Sequence, residues 1–382
     1  MLIKVGLRNN LLYPCLFLLS LFLRKIFNSI FELLIYNFIK IEIKYINSVA
    51  IYLIQLIMGL SIIIYRNIKK NKPKNEKKNE GVKLIQNKEL KLKKHDSNNK
   101  IYILLFFAAY FEKTGALTRR YFTKNIKEDR TEEYHAKFRS IEIILASILC
   151  YFTFHISILK HQFLSLLIII ICFIIVLIFD IFREDDLLKN IGNIIISSIC
   201  RVFLDTIEKY LIDYDYIDVY EMMGYEATFN CILTSILYIS DKPRKEIKNI
   251  FEVSISCFFL IIAYLFLNSL FTLFKNIYRR LTIKVYYPMT RALAESVLDP
   301  IFIIYDKCNG NYKSTFSFIV TLSCSIITIL ISCIYNEVFI LYCCGLEYET
   351  HYEIALRSKS IELNNSNDVS ERTSNEVDDK NN

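Results

Sequence analysis

Several residue types and motifs are absent or scarce in this 382-residue sequence, and each absence excludes a class of site. The chain has no tryptophan, eight glycines and five prolines. So few glycines leave no Gly-rich loop to cradle a phosphate, and neither a His-Glu-x-x-His nor a Gly-x-Ser-x-Gly motif occurs. The eleven cysteines include no Cys-x-x-Cys pair, which argues against a zinc site or a disulfide framework. We therefore expect no catalytic residue, no metal and no cofactor.

Basic residues are numerous, but their arrangement does not indicate nucleic-acid binding. Residues 66–100 hold 13 Lys and Arg against four Asp and Glu, without interleaved Phe or Tyr side chains. Surfaces that bind nucleic acids typically combine basic and aromatic side chains, so we expect no nucleic-acid partner. Cytosolic loops of membrane proteins are enriched in Lys and Arg. The 66–100 loop is therefore predicted to be cytosolic.

Long apolar runs are the dominant feature of the sequence. Hydrophobic residues make up 53% of the chain, and residues 163–179 and 255–274 are almost wholly apolar. About 20 apolar residues cross the hydrocarbon core of a bilayer as one helix. Because tryptophan is absent, the 26 tyrosines must supply the aromatic residues at the membrane interfaces. The lipid bilayer is thus the first predicted partner.

Length and hydropathy predict an all-α integral membrane protein with about ten transmembrane helices. We place the spans at 11–35, 47–65, 101–121, 139–158, 162–181, 189–211, 218–240, 249–275, 285–306 and 315–342. A basic loop is predicted after the eighth span. Ten crossings and a cytosolic 66–100 loop put both termini in the cytosol, and the Ser-, Asn- and Asp-rich tail 357–382 is predicted to be disordered. The sequence leaves the host membrane open.

Two stretches of the chain are weakly alike, and this likeness divides the ten spans into two halves. Residues 139–180 and 291–337 each open with Arg, place a Glu soon afterwards and pass through a basic turn between two spans. A repeat with five crossings must lie inverted relative to its copy. We therefore predict inverted five-helix halves at 11–182 and 187–344.

Two segments resemble the drug/metabolite transporter superfamily, which includes nucleotide-sugar and triose-phosphate transporters. They read RSIEIILASILCYFTFHISILKHQFLSLLIIIICFIIVLI and LDTIEKYLIDYDYIDVYEMMGYEATFNCILTSI. The first is similar to the fourth and fifth spans of that superfamily, and the second to its sixth and seventh. The resemblance implies a metabolite transporter and not an enzyme. The Asp299-Pro300 pair and the long basic loop depart from the superfamily pattern.

Charged residues recur every fourth position in two predicted spans, so that each set lies on one helix face. One set is Arg201, Asp205 and Lys209, and the other is Arg291, Glu295 and Asp299. A charge at the bilayer centre costs about 2.5–3.5 kcal/mol on insertion scales, so such residues usually face a partner or a water-filled cavity. Either these sets form ion pairs that only fix helix register, or they line a polar translocation route.

Three further residues are secondary candidates. Pro300 has no N–H to donate to the carbonyl of Ser296, so it should distort the helix beside the charged set. Distorted helices at membrane depth occur where the freed backbone faces protein or a cavity. Glu142 and Glu226 each lie near a span end, where a hydrated carboxylate needs no special role.

The function that these features favour is secondary transport of a small polar or anionic metabolite by alternating access. Arg201, Lys209 and Arg291 would bind anionic groups, while Glu295 and Asp299 would carry coupling protons or balance those cations. One alternative is a non-transporting scaffold that acts through the basic loop or the tail. Another is an intramembrane transferase, for which His155 and His161 are the available candidates. A homodimer also remains open.

Overall fold

The computed structural model describes most of the predicted spans. The described residues are 3–5, 12–38, 44–71, 99–118, 139–156, 158–181, 185–237, 255–308, 315–337 and 339–341. The predicted tail 357–382 and residues 72–98 of the predicted basic loop lie outside them.

The described residues form eleven helices and one small antiparallel sheet. The helices are α1 (Leu12–Phe38), α2 (Lys44–Asn71), α3 (Asn99–Thr118), α4 (Arg139–Phe154), α5 (Lys160–Ile181), α6 (Asp185–Asp213), α7 (Val219–Leu237), α8 (Ile255–Val285), α9 (Pro288–Ser296), α10 (Asp299–Cys308) and α11 (Thr315–Tyr335). Strands β1 (Ile3–Val5) and β2 (Phe339–Leu341) pair, so the segments before α1 and after α11 lie side by side.

Six of these helices are long and apolar enough to cross a membrane: α1, α2, α3, α5, α8 and α11. The protein is therefore an all-helical, multi-pass integral membrane protein. Helix α5 is the most apolar, with a mean hydropathy of 3.2 over Lys160–Phe179. The described helices α4, α6, α7, α9 and α10 do not meet the length and hydropathy criterion. Six of the described helices thus qualify as spans by length and hydropathy, whereas the sequence analysis placed ten spans.

The predicted eighth and ninth spans have different boundaries from those expected. Helix α8 continues through Lys275, Arg279 and Arg280 to Val285, so the predicted basic loop after residue 275 is wrong. The predicted single helix at 285–306 is two helices, because α9 ends at Ser296 and α10 starts at Asp299. Pro300 lies in the first turn of α10, where its missing N–H leaves no helical hydrogen bond unmade.

Helices α2 and α7 cross at a pair of glycines. A Cβ atom built on Gly224 would lie 3.1 Å from the Cα atom of Gly59, and one built on Gly59 would overlap Gly224. Small residues let helix backbones approach closely in membranes, where van der Waals packing has to hold helices together. These two glycines are therefore required by the close crossing of α2 and α7.

One end of the bundle gathers several turns and many tyrosines. The ring of Phe154, which ends α4, lies 6.3 Å from the ring of Tyr214 and 6.4 Å from that of Tyr287. Lys100, at the start of α3, donates a hydrogen bond of 2.7 Å to the hydroxyl of Tyr210. We call this end, marked by Phe154, Tyr210, Tyr214 and Tyr287, the tyrosine end.

Three helices finish at this end beside non-glycine residues with left-handed backbones. His155 follows α4 (φ 51°), Tyr216 follows α6 (φ 53°) and Glu337 follows α11 (φ 58°). A left-handed residue is a common way to end a helix, and glycine usually fills that position. In a chain with eight glycines, other residues take this conformation despite the steric cost.

Candidate functional site

Arg291 is the centre of a chain of buried ion pairs that joins six helices, α4, α6, α7, α8, α9 and α10. Its side chain is fully buried. It forms ion pairs with Asp205 of α6, with Glu142 of α4 at 3.1 Å and with Glu295 one turn along α9 at 3.3 Å. One guanidinium thus connects carboxylates from three helices.

A branch of the chain leads from Glu295 toward the middle of the bundle. Glu295 accepts hydrogen bonds from Arg139 and from Arg201. Arg139 also donates through Nε to both carboxylate oxygens of Asp299, each at 2.9 Å. Arg201 lies 3.6 Å from Glu142, which closes a ring of charges through Arg291.

A second branch leads toward the tyrosine end. Arg279 of α8 donates hydrogen bonds to Asp205 and Glu208 of α6. Arg280 donates to Glu208 at 3.0 Å and to Glu226 of α7. Asp205 therefore joins the two branches, because it contacts both Arg279 and Arg291.

These eleven side chains form what we call the ion-pair network. Its members are Glu226, Arg280, Glu208, Arg279, Asp205, Arg291, Glu142, Arg201, Glu295, Arg139 and Asp299. Six carboxylates alternate with five guanidinium groups, and all but Arg139 and Arg201 are buried. Removing one partner of a buried pair typically costs about 3–5 kcal/mol, because a charge is left unpaired. The network therefore holds the six helices in one register.

The ion-pair network lies some distance along the helices from the tyrosine end. At 1.5 Å per residue, Arg280 lies about 8 Å and Asp299 about 16 Å along the helix axes from the tyrosine end, against a hydrocarbon core about 30 Å thick. In a bilayer that α8 spans from its tyrosine end, charges at these distances lie between one surface and about the midplane. At that depth each charge has to meet a partner of opposite sign.

Most of the residues singled out in the sequence meet in this network. They are Arg201, Asp205, Arg291, Glu295 and Asp299, together with Glu142 and Glu226. Lys209 lies outside it: its ammonium pairs with Asp213 at 3.0 Å, donates to the carbonyl of Lys284 and lies 5.1 Å from the ring of Tyr287. Pro300 contributes no side-chain charge and follows Asp299 at the start of α10.

Four network members were missed in the sequence: Arg139, Glu208, Arg279 and Arg280. The two arginines of α8 were assigned to a loop because hydropathy falls after residue 275. Asn268, Thr272 and Asn276 are buried polar residues at i+4 spacing that lead to Arg280. That spacing is the signal that could have extended the helix. Glu208 escaped notice because it lies three residues, not four, from Asp205.

Cavities beside the network are small in this conformation. A cavity of about 20 Å³ touches Arg139, Asp299 and Ser296, and one of about 90 Å³ lies at the tyrosine end. Ion pairs join the two charged stripes directly, as the first of the two alternatives predicts, so no open polar route separates these side chains in this conformation. Within the part of the chain that the structure describes, no cluster of His, Cys, Asp or Glu is arranged to hold a metal ion.

Comparison with known proteins matches part of the chain to a family of transporters. Residues 38–206, less than half of the chain, match the model of the tryptophan/tyrosine permease family. The matched stretch includes Arg139, Glu142, Arg201 and Asp205 of the network. No curated protein matches the chain. The resemblance to the drug/metabolite transporter superfamily is therefore wrong, since the match is to a different family, and a membrane transporter is the function that the match supports.

Proposed function

We propose that this protein is a secondary transporter that moves an amino acid across a membrane by alternating access, with the ion-pair network as its gate. The observation that carries the proposal is the unbroken chain of carboxylate–guanidinium pairs at membrane depth. A chain of this kind has two discrete states for each link, paired or separated. Bistable contacts of this kind are what a switching transition requires.

The chemistry of an amino acid suits such a network. Its carboxylate can replace a Glu opposite a guanidinium, and its ammonium can replace an Arg opposite a carboxylate. A zwitterion therefore opens a link without leaving a charge unpaired. The printed description of the matched family, tryptophan/tyrosine permease, makes aromatic amino acids the first substrates to test.

Unsatisfied polar atoms within the network also favour a zwitterionic ligand. Among the described residues, Arg280 Nη1 and Arg291 Nε have no hydrogen-bond acceptor, and Glu208 Oε2 and Glu226 Oε1 have no donor. Buried polar atoms without partners are rare in folded proteins and each calls for an explanation. A carboxylate supplies the acceptors and an ammonium supplies the donors.

We propose further that ten crossings form two inverted halves, with the broken α9–α10 unit as the ninth crossing. The support is that helix contacts recur when each crossing is exchanged for the crossing five positions away along the chain. The pairs α2–α7, α4–α9 and α5–α11 map onto themselves. Contacts α1–α8 and α2–α8 correspond to α6–α3 and α7–α3, and α1–α9 corresponds to α6–α4.

The tyrosine end would then face the cytosol. Helix α2 leads into the basic 66–100 loop and α3 leaves it beside Tyr210, so the loop emerges at this end. Because β1 pairs with β2, the start of α1 and the end of α11 lie on the same side of the bundle, as an even number of crossings requires. The positive-inside rule then places that side in the cytosol.

Uptake into proteoliposomes tests the proposed transport. Purified protein would be reconstituted and supplied with radiolabelled tryptophan or tyrosine. Glu295→Gln keeps the shape of the side chain but removes a charge that three arginines share, so uptake should fall at least ten-fold. The matched control is Lys284→Gln, an exposed cation of α8 whose loss should leave uptake unchanged. Equal uptake by both variants, or none by the folded wild type for any amino acid, would contradict the proposal.

A non-transporting scaffold is the second candidate, and the close packing of the network favours it. Ion pairs join the two charged stripes directly in this conformation. A scaffold needs the ion pairs only for register, so Glu295→Gln would lower thermal stability and no substrate would be moved by wild type or variant. Measured flux in the wild type would exclude this candidate.

A further inference from the structure

A second polar site, separate from the ion-pair network, lies at the tyrosine end. It is a cavity of about 90 Å³, which we call the tyrosine cavity. Its wall comes from the end of α4, the start of α5, the α8–α9 junction and the end of α11. The residues that matter here are Tyr151, Gln162, Tyr286, Tyr335, Asn336 and Glu337.

The tyrosine cavity has a single acidic side chain among the described residues that line it. Glu337 is 8% exposed, and the lining residues include no Lys or Arg. Three helices, α4, α8 and α11, end at the cavity with their carbonyl groups, while two, α5 and α9, begin there. The carbonyl end of a helix carries partial negative charge and favours cations. Because one more helix ends at the cavity than begins there, this partial charge adds to the negative charge of the Glu337 carboxylate. A cation is therefore the ligand that this lining favours.

Aromatic side chains line the same cavity as Glu337. Tyr151, Tyr286, Tyr287 and Tyr335 all line the cavity. Tyrosine faces attract ammonium groups, and the attraction is larger where water is excluded. A carboxylate among tyrosine rings is the combination that recognises an organic ammonium rather than a bare metal ion. Hard divalent metal ions such as Ca²⁺ and Mg²⁺ prefer several oxygen ligands. Among the described lining residues Glu337 is the one carboxylate, so the cavity suits an ammonium better than such an ion.

His161 supports the carboxylate from the side of α5. It is 4% exposed, and its Nε2 lies 3.6 Å from a carboxylate oxygen of Glu337. We assign it a positioning role, since it does not line the cavity. Lys209 does not line it either: its ammonium lies over Tyr287 and pairs with Asp213.

We propose that the tyrosine cavity binds the primary ammonium group of an organic amine, with Glu337 as its counter-charge. If the transport proposed above is correct, this amine is the substrate amino acid at the cytosolic end of its path. A water molecule takes up about 10–15 Å³ of such a cavity. The tyrosine cavity, at about 90 Å³, therefore holds an ammonium and a few carbon atoms, with the rest of the ligand outside.

Two probes separate recognition of the ammonium from recognition of a carboxylate. Tyramine has an aromatic ring and an ammonium group, and 3-(4-hydroxyphenyl)propionate has the same ring with a carboxylate instead. Binding of each to the purified full-length protein would be measured by equilibrium dialysis in detergent. Tyramine should bind the wild type and the propionate should bind at least ten-fold more weakly. Equal binding of the two probes would overturn the proposal.

Variants then locate the binding. Glu337→Gln should weaken tyramine binding at least ten-fold, and Tyr151→Leu, at the exposed rim, should weaken it several-fold without a risk to folding. The matched control is Glu221→Gln, a carboxylate in the first turn of α7 that does not line the cavity. Unchanged tyramine binding in Tyr151→Leu and in a folded Glu337→Gln protein would overturn the proposal.

The same variants keep this proposal distinct from the transport proposal. Tyramine binding that depends on Glu337, in a protein that moves no amino acid, would support the cavity and reject transport. Amino-acid uptake with an unchanged KM in Glu337→Gln and Tyr151→Leu would support transport and reject the cavity as part of its path.

Discussion

Two parts of this bundle hold helices together by opposite means. Helices α5 and α11 pack through Cys172, Val176 and Cys324, a seam without charge. Helices α4, α6, α8 and α9 pack through guanidinium and carboxylate groups. Lipid tails are as apolar as leucine, so an apolar seam gains only the improvement in packing. Charged groups gain much more, since the alternative is an unpaired charge in a medium of low dielectric constant.

The difference shows what each kind of contact determines. One helix can slide along the other at an uncharged seam, because each apolar side chain then meets another apolar side chain at similar energy. The ion-pair network does not, because moving α9 by one turn would place Arg291 beside Glu295's present partners and leave Asp205 with one arginine fewer. We infer that the network fixes the register of the central helices and the seam supplies their lipid-facing cover.

The largest effect is expected at the centre of the network. Arg291→Met keeps the length of the side chain but leaves Asp205, Glu142 and Glu295 with one partner fewer, so the free energy of unfolding should fall by about 3–5 kcal/mol. Thermal unfolding can be followed with a thiol-reactive dye, because Cys150, Cys172, Cys200 and Cys324 are buried.

The control for Arg291→Met is Lys284→Met, which removes an exposed cation from α8. Its Tm should match that of the wild type, since exposed ion pairs contribute about 0–1 kcal/mol. Equal Tm values for the two variants would show that the network adds no more than surface charge, and the contrast with the apolar seam would disappear.

An intermediate effect is expected where α2 and α7 cross closely at two glycines. Gly224→Ala places a methyl group 3.1 Å from the Cα atom of Gly59, and overpacking of this kind typically costs about 1–3 kcal/mol. Gly192→Ala in α6 is the matched control, because its new methyl group meets nothing within 4 Å. The control should be neutral or stabilising, since Ala favours helix over Gly by about 1 kcal/mol. A Gly224→Ala protein as stable as Gly192→Ala would mean that α2 and α7 can separate freely.

A smaller loss is expected at the apolar seam itself. Val176→Ala removes two buried methyl groups between α5 and α11 and should cost about 1 kcal/mol in packing. Ile178→Ala on the same helix is the control, because Ile178 is 46% exposed on the outer surface and lipid replaces its lost contacts. A Tm for Val176→Ala below that of Arg291→Met would reverse the ranking of the two regions.

The sequence predicted the uncharged part of the fold well, because lipid selects for hydropathy. Helices α5 and α11 have mean hydropathies of 3.2 and 2.3 and begin within two residues of the predicted spans. The central helices are different: α4, α6 and α9 face protein, so their charges lower hydropathy without placing them outside the bundle. Their presence was predicted from length and hydropathy, like that of the other spans, and their boundaries were less accurate.

The candidate site was predictable as two stripes but not as a network. A spacing of four identified Arg201 and Asp205 on one helix and Arg291 and Glu295 on another. The connecting residues Arg139, Arg279 and Arg280 come from other helices, and a single sequence contains no signal for which distant charges will meet. Hydropathy also ended α8 too early, because it treats a buried, paired arginine like a solvated one.

The smallest effect is expected at Lys209, the one residue of the two predicted stripes that the network leaves out. Lys209→Met removes an ammonium that pairs with Asp213, whose side chain is 37% exposed and can turn to water. The free energy of unfolding should therefore change by less than about 1 kcal/mol, and uptake should persist. Arg201→Met, two turns earlier on α6, is the control, because it deprives the buried Glu295 of one arginine partner and should lower both stability and uptake. If Lys209→Met lowers stability as much as Arg201→Met does, then position along the helix, not membership of the network, decides what a charge contributes.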